Sequence, residues 1–322
     1  MIIVTGAAGF IGSCLVKKLN AENFNAIIAV DKFDQPLKNK NLEGARIQEK
    51  VDRDQFMSWL DKNFELVEFI FHIGARTDTA EMDVALFDRL NTQYTKDLWA
   101  KCIQYQIPVV YASSAATYGL GEMGYDDNEA AISKLKPLNP YGQSKQDFDV
   151  WALGQNEKPF FWAGLKFFNV YGPNEYHKGR MASVIWHAYN QINKTDTMKL
   201  FRSHDPNFKD GEQMRDFVYV KDVVDVCYFL MHNRKNSGIY NLGSGKARTF
   251  LDLTKSVFKA LNKKEAIEFI DTPIDIRDKY QYFTEANMNK LKSIGYIKPL
   301  HTLEEGTLDY VQNYLNNGLK YY

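Results

Sequence analysis

The sequence predicts a doubly wound α/β fold: a parallel sheet with helices on both faces, followed by a second, smaller α/β unit. Three observations point there. In the first half, short β-branched apolar runs alternate with helical patterns, the rhythm of βαβ units whose crossovers are right-handed. The runs are continuous rather than alternating in polarity, as expected of strands buried on both faces. A glycine-rich turn follows the first run directly and opens a helix.

Taken in order, residues 2–5, 26–30, 67–73 and 107–113 read as strands, each short and bounded by turn formers. Helices are expected at 10–20, 53–63 and 82–105, the last with Phe87, Leu90, Tyr94 and Leu98 at near-helical spacing. A helix follows Tyr141, and 160–168 reads as a further strand. Beyond residue 169 the regularity breaks. Segments 171–180 and 202–213 are rich in turn formers and charge and read as a lid or substrate wall. Helices near 181–193, 221–233, 249–261 and 302–316 alternate with short strands, and Phe217 to Val220 reads as the chain's return to the sheet. The expected division is 1–168 plus about 216–243 for a dinucleotide, and 169–215 plus about 244–322 for a substrate.

Composition narrows the function classes. Forty basic residues balance forty acidic ones over 322 positions, which removes the basic surplus of a nucleic-acid binder. Three widely spaced cysteines indicate neither a disulfide framework nor a zinc site, and no metal is expected. The opening Met1 to Thr5 lacks a basic n-region, and no run approaches the roughly 18 apolar residues of a membrane span. A cytoplasmic protein without a membrane partner is expected. The aromatic load, 21 Phe, 19 Tyr and 5 Trp, has no explanation at this level.

The turn is Gly6-Ala7-Ala8-Gly9-Phe10-Ile11-Gly12. Its glycines allow a tight turn, close approach of a pyrophosphate, and close strand–helix packing. The helix N-terminus offers unpaired N–H groups to the phosphates. Asp31, 19 residues after Gly12 at the end of the second strand, suits a free ribose 2′-hydroxyl and hence NAD. Lys32 and Lys38 would instead suit the 2′-phosphate of NADP, and these residues alone leave the two open.

Tyr141 and Lys145 stand at i and i+4, on one helix face. A phenol is a poor base at neutral pH, and a nearby ammonium stabilises its phenolate. The strand before this helix ends in the hydroxyl-rich Ser113-Ser114-Ala115-Ala116-Thr117-Tyr118-Gly119, at the carboxyl edge of the sheet where ligands bind.

With these three motifs the chain resembles the extended short-chain dehydrogenases/reductases that act on nucleotide sugars. That resemblance gives Ser114 the serine role, Tyr141 the acid/base role and Lys145 the Tyr-activating, ribose-binding role. It also places Arg53, Ile73, Gly74, Ala75, Asn91, Val170 and Lys178 at the cofactor. Dehydratases of the family carry Asp-Glu where this chain has Ala115-Ala116, so elimination of water is not expected.

The runs Phe167 to Val184, Lys199 to Phe201, Arg215 to Val220 and Tyr280 to Thr284 resemble the branch that epimerises C6″ of an ADP-linked heptose. The resemblance implies a transient 6″-ketone, with Tyr141 serving one face and Lys178 the other. Lys178 would then need its pKa depressed, by burial or by His177, Arg180 and the cofactor. Substrate contacts are implied for Ser114, Asn169, Arg180, His187, Phe201, Arg202, Ser203, His204, Arg215 and Tyr280, with Arg215 on the pyrophosphate. Lys38 lies where a 2′-phosphate is expected, so the resemblance favours NADP over NAD. It further implies an ADP-heptose substrate, a role in lipopolysaccharide core synthesis, and a homo-oligomer, a pentamer. The rival readings are a C4 epimerase of a UDP-hexose and a non-catalytic NADP-sensing scaffold. Arg76, Arg180 and a long 202–215 loop depart from the family pattern.

Overall fold

A computed structural model of the chain describes residues 1–277 and 280–322. Among them, seven strands form one parallel sheet: β1 (Ile2–Thr5), β2 (Ile27–Asp31), β3 (Glu49–Asp52), β4 (Phe69–His72), β5 (Val109–Ser114), β6 (Trp162–Phe167) and β10 (Gly238–Leu242). Their order is β10-β6-β5-β4-β1-β2-β3. From β1 the chain winds outward through β2 and β3, then crosses to β4 and winds the other way. Strand order therefore reverses between β1 and β4, which pair in register from Ile2 with Phe69 to Thr5 with His72. A doubly wound sheet opens its ligand crevice at such a reversal, beyond the carboxyl ends of the strands.

Most expected elements are present, shifted by a residue or two. The strand β3 was not anticipated. Its sequence Glu-Lys-Val-Asp buries only Val51, because it is the sheet edge and needs one apolar face position. The return to the sheet is corrected as well. Phe217 lies in β9 (Met214–Tyr219), which pairs with β7 (Asn169–Tyr171) and β11 (Ala247–Thr249) in a separate three-stranded sheet. The strand that rejoins the main sheet is β10, beside β6. A two-stranded sheet, β8 (Met198–Phe201) with β12 (Ile267–Ile270), completes the set among the described residues.

The helix expected over 82–105 runs as Val84–Phe87, a π turn over Asp88–Gln93, and Tyr94–Gln104. Such π insertions re-aim side chains, and this one contains Asn91. Part of the aromatic load is core: the Trp99 ring packs edge-on against Tyr111, Phe148, Trp151 and Trp162, tying two helices to β5 and β6. Among the described residues no helix is long and apolar enough to cross a membrane.

Candidate active site

The glycine turn and the loop after β4 touch. Gly6 has φ +65°, and a Cβ on it would lie 2.6 Å from the Gly74 Cα. A Cβ on Gly12 would strike the Gly6 carbonyl oxygen, so the first turn of the helix Phe10–Ala21 sits directly on β1's exit. Gly9 caps this helix without a side-chain bond, and no acidic residue occupies its first turn. Its leading N–H groups are thus left for an anion. They open into a cleft of about 350 Å³ lined by Gly6, Gly9, Phe10, Ile11, Gly12, Asp31, Lys38, Arg53, Ile73, Gly74, Ala75 and Lys178. Twelve residues expected at the cofactor therefore share one surface, and the cradle fits a dinucleotide.

Asp31 faces inward. One carboxylate oxygen accepts from Ala8 N–H at 2.9 Å, the other from Lys32 N–H at 2.7 Å and Lys38 Nζ at 2.5 Å. The carboxylate thus braces the glycine turn and is neutralised by Lys38. Lys32 needs correcting: its ammonium lies 2.7 Å from Asp54 and 3.6 Å from Asp52, outside the cleft lining. Arg53, by contrast, does line the cleft. Asn91 is 2% exposed and lies outside that lining. It brackets the Arg76 peptide, accepting from its N–H at 2.8 Å and donating to its carbonyl at 2.9 Å, and reaches Ser144 Oγ at 2.9 Å. It ties the loop after β4 to the helix that carries Tyr141.

That helix, Pro140–Gly154, starts with Pro at its first position and Asn139 accepting from Gly142 N–H at 2.8 Å. Tyr141 is the second residue of its first turn, and Ser114 lies near enough to its phenol to favour the phenolate. Ser114 ends β5 and accepts from Ala116 N–H at 3.1 Å, leaving its own proton free to give. Burial pushes the Tyr141 phenol above its ordinary range, and Ser114 opposes this. Lys145 follows one helical turn on. Its ammonium donates to the Ala112 carbonyl at 2.7 Å, and burial pushes its pKa down to about 8, with Asp149 opposing. Behind the glycine turn lies a group the sequence did not flag, His72. It bridges Thr5 Oγ1 (2.7 Å) and Thr95 Oγ1 (3.0 Å) and is pushed down to about 3 by burial, so it is a neutral strut.

Lys178 lies in the turn Tyr176–Met181, broken at Gly179 with φ +55°. Its Nζ stands 5.2 Å from the centre of the Phe10 ring, beside the start of the cofactor helix. Among the described residues no carboxylate is within ion-pair distance of it. Its pKa is lowered, and the cause is burial rather than neighbouring cations. His177 is pushed down to about 4, chiefly by burial, and accepts from Asn41 Nδ2 at 3.2 Å. Arg180 turns outward to grip Asp78 at 2.8 and 2.9 Å. Two further residues hold this turn: buried Glu175 accepts from Ser183 N–H at 2.5 Å and Oγ at 2.7 Å, and Asn174 (φ +74°) donates to Ser13 Oγ at 2.9 Å.

The remaining predicted residues lie apart from the cofactor cleft. Arg215 is 9% exposed, with its guanidinium carbon 5.6 Å from the Phe250 ring centre and 5.5 Å from that of Tyr280. Its side-chain partner is the Met214 carbonyl at 2.8 Å, and no carboxylate pairs with it among the described residues. A buried, stacked guanidinium without a counter-charge suits an anionic ligand. Phe201 meets Tyr280 edge-on at 6.3 Å. Asn169 and Val170 begin β7, which follows β6 almost directly. The others are held locally: Arg202 by the Phe269 carbonyl (3.3 Å), Ser203 by that of Asp205 (2.8 Å), His187 by that of Arg180 (3.3 Å), and the His204 N–H by Tyr282 (2.9 Å).

Residues 2–243 match the model of the NAD dependent epimerase/dehydratase family. The chain is 50% identical over 325 residues to the ADP-L-glycero-D-manno-heptose-6-epimerase of Fusobacterium nucleatum, covering 98% of each. The solved ADP-L-glycero-D-manno-heptose-6-epimerase of Helicobacter pylori superposes with a TM-score of 0.81 at 29% identity, covering 97% of this chain and 95% of that one. UDP-glucose 4-epimerase of Thermus thermophilus, solved with NAD, gives 0.74 at 25% identity over 96% and 97%.

Proposed function

The chain belongs to the NAD dependent epimerase/dehydratase family, and from that premise we propose that it inverts C6″ of ADP-D-glycero-D-manno-heptose, giving ADP-L-glycero-D-manno-heptose. The observation that carries this reading is a pair of proton-transfer groups on separate elements. Tyr141 starts the helix Pro140–Gly154, and Lys178, half-buried and without a carboxylate within ion-pair distance among the described residues, projects from the turn Tyr176–Met181.

A bound nicotinamide dinucleotide supplies the hydride acceptor and donor for C6″. Tyr141 takes the 6″-hydroxyl proton as the carbon is oxidised, with Ser114 holding the same oxygen. The resulting 6″-ketone presents its other face, and Lys178 gives a proton to the new alkoxide. Exchange with water returns both groups to their starting states. The reverse epimer uses them in opposite order. Arg215, stacked between Phe250 and Tyr280, holds the ADP pyrophosphate so that the ketone turns without leaving. Phe201 and Tyr280 form the wall beside it. Removing this clamp acts on binding: Arg215→Ala raises KM about 100-fold, the worth of two charge-assisted hydrogen bonds, and changes kcat by less than about fivefold in steady-state assays.

We assign the cofactor as NADP, with NAD as the alternative. Lys38 cancels the Asp31 charge that would repel a 2′-phosphate, and Arg53 lines the same cleft. The working division of the chain is 1–168 with about 216–243 for the cofactor, and the remainder for the nucleotide sugar. A cytoplasmic homo-oligomer, a pentamer, supplying the lipopolysaccharide core completes the reading, on family resemblance. One preparation tests it. Incubation with ADP-D-glycero-D-manno-heptose gives the C6″ epimer, resolved by NMR, and denaturation releases NADP. No epimer from the intact protein refutes the reading, and release of NAD refutes the cofactor assignment.

A further inference from the structure

Beneath the Ser114–Tyr141 pair lies an ion pair that the chemistry above does not use. Lys166 of β6 and Asp149 of the helix Pro140–Gly154 meet at 2.8 Å with neither side chain exposed at all. Burying two charges is costly unless every hydrogen-bonding position is filled, and here the partners are those of the site. Asp149 accepts from Ser113 Oγ at 2.6 Å, Lys166 Nζ at 2.8 Å and the Tyr111 hydroxyl at 2.9 Å. Lys166 also donates to Thr117 Oγ1 at 2.7 Å, and Thr117 donates onward to the Ser114 carbonyl at 2.8 Å. The pair thus grips the segment 113–117 at Ser113 and Thr117, on both sides of Ser114. Asp149 is also one helical turn beyond Lys145, on the same face.

Resting on the assignment of Tyr141, Ser114 and Lys145 above, we propose that Asp149 and Lys166 are positioning residues of the reaction: Lys166 fixes the Ser114 peptide through Thr117, and Asp149 sets the field at the Lys145 ammonium. Lys145 shares its helix face with Tyr141 and Asp149, and the neutral His72 of β4 lies near it. Asp149 favours the Lys145 ammonium, while Lys166 acts on Ser114 through Thr117.

The test compares Asp149→Asn, Lys166→Met, Lys166→Arg and the double Asp149→Asn/Lys166→Met variant, each purified with its own bound cofactor. Rates with ADP-D-glycero-D-manno-heptose are measured from pH 6 to 10, with thermal melting as a check on folding. Asp149→Asn moves the bend that Lys145 puts in the kcat profile near pH 8 down by about one unit. Asp149→Asn and Lys166→Met both lower kcat at least about tenfold while KM stays within about twofold, and Lys166→Arg restores most of kcat. A residue that merely holds the fold would not shift the bend. Each single change strands a buried charge, so the double variant, which removes both, carries the test if the singles do not fold. It melts cooperatively and still loses about tenfold in kcat, because Thr117 is released. An unmoved bend in folded Asp149→Asn, or parental kcat in folded Lys166→Met or in the double variant, overturns the proposal. Tyr141→Phe under the same conditions separates the two failures: full activity there refutes the site itself, whereas loss there with an unmoved bend refutes this inference alone.

Discussion

Replacing Tyr141 by Phe lowers kcat about 1,000-fold, near 4 kcal/mol of transition-state stabilisation, while the protein folds and keeps its cofactor. The aromatic ring stays, with its contact to Phe87 at 6.3 Å, so only the hydroxyl beside Ser114 is lost. The size of the loss follows from its being the group that moves the 6″-hydroxyl proton. The pH profile of the parent enzyme carries the same information. Burial holds the Tyr141 phenol above its ordinary range, so the rate rises with pH as the phenolate fraction grows. Lys145 is pushed down to about 8, so above that pH the loss of the supporting ammonium offsets the gain in phenolate and the rate levels off. Stopped assays between pH 6 and 10 show this rise and plateau, and Tyr141→Phe abolishes the rise.

Lys178→Met lowers epimerisation about 100-fold or more, by removing proton transfer on one face. Lys178→Arg separates proton transfer from charge. It keeps a cation near Phe10, 5.2 Å from the present ammonium, but a guanidinium does not give up its proton at working pH. Both variants are therefore expected to fail alike, and melting temperatures near the parent's show that the turn is intact. Recovery of most activity in Lys178→Arg would reduce Lys178 to a phosphate contact. Near-full activity in Lys178→Met would favour the C4 epimerase, which needs Tyr141 alone.

How much of this was legible in the residues depends on where the information lies. The glycine turn, the apolar strands and the Tyr141/Lys145 spacing are local patterns, and they located the sheet, the cleft and the helix that carries Tyr141 and Lys145. The edge strand β3 was invisible because an edge needs almost no apolar signal. The further contacts of Asp31 were not legible because its partner, Lys38, comes from a separate short helix and the carboxylate also braces the glycine turn. Of the two causes expected for the Lys178 shift, burial holds and neighbouring cations do not. Spacing puts His177 and Arg180 beside it, but burial leaves one neutral and Asp78, a hundred residues upstream, draws the other away. The Asp149–Lys166 pair joins a helix to a strand, and nothing local in the sequence announces it.

The central claim is that C6″ is oxidised and re-reduced within one closed site. Conversion of ADP-D-glycero-D-manno-heptose in heavy water tests it most directly. Direct hydride return predicts that the L-epimer forms with its original hydrogen at C6″ and no deuterium on any carbon by NMR and mass spectrometry. Deuterium at C6″ or C5″, or a product inverted at C4″ instead, would contradict it.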